Sequence, residues 1–242
     1  MAHGHPDYGA GAPTTTIYTI QDMAELAARL GSIVTFDRRG NVILLDDFES
    51  GIEGWEVDSS PAGYAVSWSP ERHRGGGFSL KLVTNDTEDA YAGVYKGYPY
   101  PKPSRLGFEV SFIYGEYIKY FEFKNDVRDS TDQYMAYVRF VPDTNRWQYW
   151  SLAEAWVNLS PAYDLMQLQR IFHTIKLVVD MTTGKYVHLI VDDHTFDMSG
   201  LSMWTASAPG NPVLYTTIHA YTRSNDAAYT YVDDFIATIN EP

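Results

Sequence analysis

Five carboxylates bracket the main body of the chain: Asp46, Asp47 and Glu49 in DDFES, and Asp233 and Asp234 in YVDDF. Hard oxygen donors drawn from separate segments suit Ca2+, which binds carboxylates and carbonyls at about 2.3–2.6 Å. The grouping requires the first and last strands to pair. Otherwise these are solvated turn acids flanking Phe48 and Phe235, whose rings pack in the core. Glycoside hydrolysis asks for two carboxyls about 5–9.5 Å apart in a cleft. Glu116, Glu122, Asp126 and Glu154 lie near strands or Trp156, but none shows the same-face spacing of such a pair, and residues 116–120 read as an ordinary exposed face. The sequence therefore points away from an enzyme. His3 and His5 sit two apart in a polar arm, while His173, His188, His194 and His219 stand singly on or beside strands. Each reads more simply as a hydrogen-bonded strand histidine than as a zinc ligand. No G-x-S-x-G elbow or phosphate loop is present, and residue order alone assigns no Ser–His–Asp set. Trp147, Tyr149, Trp150 and Trp156, with Tyr95, Tyr98 and Tyr100, form a candidate platform for stacking sugar rings. Strand alternation puts Trp147 and Tyr149 on one face and Gln148 and Trp150 on the other, so at most half of these rings meet a ligand. Core and interface packing is the competing reading for all of them.

The elements that would position these residues are strands. The clearest signal is residues 172–197, FHTIKLVVDMTTGKYVHLIVDDHTFD, in which Ile175, Leu177 and Val179 alternate before a turn ending in Gly184 and a second turn at Asp192-Asp193. Gly184 supplies the positive φ of a tight hairpin. Leu106, Phe108, Val110, Phe112 and Tyr114 alternate equally well. About a dozen such segments, separated by Gly, Pro, Asn and Asp, predict an antiparallel two-sheet sandwich with Leu106, Phe108, Val110, Ile175, Leu177, Leu189 and Val191 buried between the sheets. Residues 158–169 are compatible with one helical turn through Leu165, Leu168 and Gln169.

Ahead of this body, residues 21–30 (QDMAELAARL) carry an apolar stripe at helical spacing, with Gly31 as a stop. Ile33 to Phe36 and Val42 to Leu45 flank DRRGN and predict a small hairpin. Residues 1–16, MAHGHPDYGAGAPTTT, carry too little apolar surface to order alone. The reading is thus an arm (1–16), a helix and hairpin (17–45) and a sandwich domain (46–242). Ordering the arm would use about 1–2 kcal/mol of backbone entropy per residue, which calls for an extensive partner surface. Pro6, Tyr8 and Pro13 are its expected anchors on a neighbouring subunit or shell protein.

A net charge of -13 argues against nucleic acid and anionic membranes as partners. Without cysteine there is neither a disulfide framework nor a thiolate metal site. No run reaches the roughly 18 apolar residues of a spanning helix, so membrane insertion is not expected. A signal-peptide pattern is not visible at residue 1 onwards.

In order along the chain, DDFESGIEGW, GGGFSLKLVT, the FHTIKLVVD–TGKYVHLIVDD meander and YVDDFIATI together resemble the concanavalin A-like and laminin G-like jelly-roll sandwiches, including many carbohydrate-binding modules. The resemblance implies an all-β, jelly-roll antiparallel β-sandwich, here with an N-terminal extended arm and one short helix. It also implies a structural calcium, for which the matching positions are Glu49 and Asp234. GHPDYG and the following segment resemble the N-termini of virion-associated proteins of tailed bacteriophages. The expected function is accordingly a non-enzymatic virion surface component, a capsid decoration or tail-associated protein, forming a homo-oligomer or joining other virion proteins through its arm. The alternative is a secreted carbohydrate-binding module that takes a glycan, and the third reading is a glycoside hydrolase or lyase.

Overall fold

The computed structural model describes residues 40–60, 63–167, 171–223 and 226–242. Among them sixteen strands, numbered in chain order, form two antiparallel sheets packed face to face as a jelly-roll sandwich. The first sheet contains β1 (Asn41–Asp46), β3 (Ala65–Ser69), β4 (Ser79–Val83), β6 (Arg105–Tyr114), β11 (His173–Asp180), β12 (Lys185–Val191), β13 (His194–Asp197) and β16 (Tyr229–Ile239). Its order is β13-β12-β11-β6-β16-β4-β3, with β1 also on β16. The second contains β2 (Glu56–Ser59), β5 (Tyr91–Pro99), β7 (Ile118–Arg128), β8 (Asp132–Val141), β9 (Arg146–Trp150), β10 (Trp156–Asn158), β14 (Trp204–Ser207) and β15 (Val213–Thr222). Its order is β10-β9-β8-β7-β15-β5-β2, with β14 on β8.

The alternation of apolar residues dictates the layering. Leu106, Phe108, Val110, Ile175, Leu177, Leu189 and Val191 are at most 1% exposed and face the other sheet, as the pattern predicts. Phe112 of β6 stacks on Phe121 of β7 with ring centroids 4.0 Å apart, tying the two sheets together. Burial on this scale contributes about 1.5–3 kcal/mol per large apolar side chain. The predicted meander forms as expected: β11 pairs with β12 across a loop ending in Gly184 at φ +66°, and β12 pairs with β13 across Asp192-Asp193.

Some local expectations change. Val42 to Leu45 belong to β1, which pairs with the last strand, β16; the other half of the expected hairpin, residues 33–36, lies outside the described residues. Residues 159–167 contain no helical turn; Leu165 is buried in the core, where Tyr114 Oη donates to its carbonyl at 2.6 Å. The arm (with Pro6, Tyr8 and Pro13), the helix at 21–30, residues 33–36, Leu168 and Gln169 lie outside the described residues.

Candidate functional site

The outer face of the second sheet carries the densest chemistry. One register line crosses seven strands: Asp58 of β2, Gly93 of β5, His219 of β15, Glu122 of β7, Arg139 of β8, Gln148 of β9 and Asn158 of β10. Residues directly opposite in antiparallel pairs point to the same side, so these side chains form a row. Hydrogen bonds join them in two runs, Asp58 to His219 and Glu122 through Arg139 and Gln148 to Asn158. His219 Nε2 lies 2.9 Å from Asp58 Oδ2. Arg139 donates to Glu122 Oε1 (3.4 Å) and, through Nε, to Gln148 Oε1 (2.6 Å). Gln148 Nε2 donates to Asn158 Oδ1 at 2.8 Å. Lys124 Nζ sits 3.2 Å from the other oxygen of Glu122. Gly93 is what seats the imidazole: a Cβ there would fall 2.2 Å from His219 Cδ2.

Aromatic rings flank the row. Tyr91, Tyr221 and Tyr120 form the adjacent line across β5, β15 and β7, with centroids 5.2 and 4.7 Å apart. The Arg139 guanidinium lies between two rings, 4.6 Å from Tyr120 and 4.3 Å from Trp156, a cation–π arrangement that fixes its plane. Beyond it opens a cleft whose polar lining is Lys119, Arg139, Arg146, Gln148, Asn158 and Thr144, with Asp143 as its one carboxylate. Against a net charge of -13, this is a local concentration of cations and amides.

Burial sets the protonation states. Desolvation pushes His219 below the ordinary histidine value, so it is neutral at pH 7 despite the Asp58 carboxylate. With Asp58 accepting from Nε2–H, Nδ1 keeps its lone pair and accepts the Tyr221 hydroxyl at 3.4 Å. Burial, then the neighbouring Glu122 charge, raises Tyr221, and burial raises Tyr120 to about 12, so both hydroxyls hold their protons.

The sequence-selected aromatics divide between two environments. Trp147 is 1% exposed in the core and is not available to a ligand. Tyr149 packs against that core beside Tyr186. Trp150 and Trp156 pair across β9 and β10, half-buried, with centroids 5.3 Å apart. Tyr98 and Tyr100 are buried, and Tyr95 donates to Glu56. Glu122 and Asp126, which do not make the strand spacing of a hydrolase carboxylate pair, both project from the outer face of β7 with Lys124 between them. Their period of two was the available signal, but His219, Arg139 and Gln148 join them only through non-local register.

The carboxylates at the chain's two ends do come together, because Asp46 of β1 pairs with Phe235 of β16. They are already engaged. Asp46 accepts from Trp55 Nε1 and Lys96 Nζ. Glu49 Oε1 accepts the amides of Gly77 and Phe78 at 2.8 and 2.9 Å. Asp233 accepts the amides of Arg74 and Asp234. Asp234 is bound by the Arg74 guanidinium at 3.1 Å. None of these oxygens is among the buried atoms left without a partner, and no metal-binding cluster forms among the described residues. Arg74 supplies the positive charge beside Asp234, so the arrangement does not fit a calcium ion shared by Glu49 and Asp234. Arg74→Ala is expected to destabilise the fold by about 3 kcal/mol by stranding the buried Asp234 carboxylate, while the backbone amide to Asp233 is kept. Chelator should leave the melting temperature unmoved; a fall on adding chelator would restore the ion to this site.

No family model matches the chain, and no curated protein does either. Solved structures share the fold. An endo-beta-1,4-glucuronan lyase from the fungus Trichoderma reesei is 9% identical with a TM-score of 0.60, the match covering 82% of this chain and 96% of that one. A protein of unknown function with a galectin-like fold from Bacillus subtilis is 12% identical with a TM-score of 0.54, covering 84% of this chain and 97% of that one. A sialidase is 16% identical with a TM-score of 0.51, covering 83% of this chain and 19% of that much longer one.

Proposed function

We propose that the protein binds carbohydrate across the outer face of its second sheet. The observation that carries this reading is the polar row from Asp58 to Asn158, hydrogen-bonded in two runs and bordered by Tyr91, Tyr221, Tyr120 and Trp156. Sugars present hydroxyls at the ring edge and C–H groups at the ring face. A flat strip of amide, carboxylate and guanidinium groups beside aromatic rings offers partners for both. That glycan-acting proteins occur among the structures of similar fold agrees with this reading. The virion role expected from the arm rests on residues outside the described set, so the glycan reading takes first place.

Affinity electrophoresis of the full chain against a panel of neutral and acidic polysaccharides tests it. Retardation is expected in at least one gel. Trp156→Ala and Gln148→Ala should each weaken binding by about tenfold, equivalent to about 1.4 kcal/mol. Mobility unaffected by every polysaccharide would sink the proposal.

A further inference from the structure

We propose that the same face cleaves 4-linked polyuronates by β-elimination, with Tyr221 as the group that moves the proton and Arg139 as the group that holds the uronate carboxylate. The inference rests on the glycan-binding reading and goes beyond it. The sequence argued against catalysis because it lacks a hydrolase carboxylate pair; elimination needs no such pair. It needs a base beside a carbon acid, a cation on the adjacent carboxylate and an acid for the leaving oxygen.

All three are juxtaposed in the row and the tyrosine line beside it. Tyr221 is half-buried, its hydroxyl reaching both His219 Nδ1 at 3.4 Å and the Glu122 carboxylate, and the Asp58 carboxylate fixes the tautomer that leaves that nitrogen basic. Asp58 is in turn held by Tyr91 Oη at 3.4 Å. The two residues lie two apart on β15, hence on one face, and Glu122, directly opposite His219, is the link to Arg139. Arg139 is stacked rather than free to swing, and two of its N–H groups bind Glu122 and Gln148. A guanidinium has five N–H donors in a planar fork, so it retains capacity for a carboxylate. Desolvation keeps His219 neutral, as a proton acceptor must be.

The step balances without water or an oxidant. The C5–H of a uronosyl residue is acidic because it lies next to the carboxylate, whose charge Arg139 offsets. Tyr221 Oη takes the C5 proton while its own proton passes to His219 Nδ1, giving an imidazolium that Asp58 stabilises. The C5–H electron pair becomes the C4=C5 double bond, and the C4–O bond breaks towards the departing chain. That oxygen takes a proton from Tyr221, and His219 returns its proton to Tyr221. Tyr221 and Arg139 touch substrate; His219 and Asp58 act through Tyr221 and are positioning residues.

The test incubates the full chain with polyglucuronate, polygalacturonate and alginate, and with carboxyl-reduced forms of each. The readouts are the ultraviolet absorbance of the conjugated alkene, new reducing ends, and binding by affinity electrophoresis. Absorbance is expected to grow with at least one polyuronate and with none of the reduced forms. Tyr221→Phe should lower kcat by about a hundredfold or more while KM and the melting temperature hold. His219→Gln should give the same split of kcat from KM, whereas Arg139→Ala should raise KM. Polyuronate binding with no alkene from any of the three overturns the inference and leaves the binding reading standing. No binding to any glycan overturns both, and full activity in Tyr221→Phe overturns the assigned role.

Discussion

Replacing Lys176 with Met is expected to lower the unfolding free energy by about 3–5 kcal/mol, the largest loss foreseen for a single substitution outside the core. Lys176 lies on β11 facing away from the core, yet it is only 2% exposed. Its Nζ is 2.8 Å from Glu241 Oε1, whose side chain is fully buried, and its cross-strand partner on β6 is Glu109. The Glu241 oxygen also accepts Thr238 Oγ1 and rests over two glycines: a Cβ on Gly40 or Gly107 would approach it to 2.4 or 2.6 Å. The chain has been kept bare at both places to admit the carboxylate. Without the ammonium, the Glu241 carboxylate remains in a site water does not reach, beside a Glu109 that burial already favours in its protonated form, and the penalty is that of the unpaired charge rather than of a lost contact. Pairing Lys176→Met with Glu241→Leu should therefore recover most of the loss. Urea unfolding of the single and double variants decides the matter. A single variant within about 1 kcal/mol of the parent would show that the site relaxes to let water in.

Most of the sandwich was legible because its signal is local. Leu106, Phe108 and Val110 alternate within one strand, and no distant residue is needed to decide that they share a face. The pairing of β1 with β16 was different. The acidic ends were expected to meet through the jelly-roll resemblance, while Val42 to Leu45 were read locally as half of a hairpin. Local turn chemistry there points to a near neighbour outside the described residues, while the β16 partner lies at the far end of the chain and leaves no local signal. The polar row was illegible for the same reason. His219 and Asp58 are 161 positions apart, and their meeting depends on the register of β15 on β5 and of β5 on β2. Glu122, Lys124 and Asp126 did show a period of two, but an ordinary solvated strand shows the same pattern. Burial of Glu122 to 6% exposure sets it apart, and that is a property of its neighbours. With Trp147, Tyr149, Trp150 and Trp156, alternation fixed that they divide between two faces. It could not say which pair turned outward, because that choice belongs to the position of β9 in the sheet.

Stability is expected to fall as pH rises from about 5 to about 8, the reverse of the usual behaviour of an acidic protein whose carboxylates are paired. Burial pushes Asp233 up to about 7, with the Asp234 charge adding to it, and burial pushes Glu109 up to about 7 against the pull of Lys176. Unfolded, both titrate near pH 4. Between those values the folded state binds more protons than the unfolded one, so the derivative of stability with pH is negative. The contribution is fully present below about pH 4 and is lost as pH climbs through 7; at about 1.4 kcal/mol per pKa unit it is of the order of 3 kcal/mol per group. His173, held above its ordinary value by Asp192 in spite of burial, adds loss in the same direction. Opposing groups act lower on the scale. Asp58, Asp89 and Asp180 titrate below the ordinary carboxylate value, so their stabilisation disappears only as pH falls through those depressed values. Neutral, buried His219 favours unfolding below its ordinary titration range. The optimum should therefore lie at about pH 5–6. Asp233→Asn tests the assignment, because asparagine presents at every pH the uncharged state that burial favours, and it relieves the repulsion on Asp234. Urea midpoints at pH 5, 6.5 and 8 should lie closer together in this variant than in the parent, the remaining spread being that of Glu109 and His173, with the variant the more stable of the two at pH 8. A parent whose midpoint rises with pH would mean that water or a cation reaches Asp233 and Glu109, and the dry, acid-bearing outer face of the first sheet would have to be abandoned.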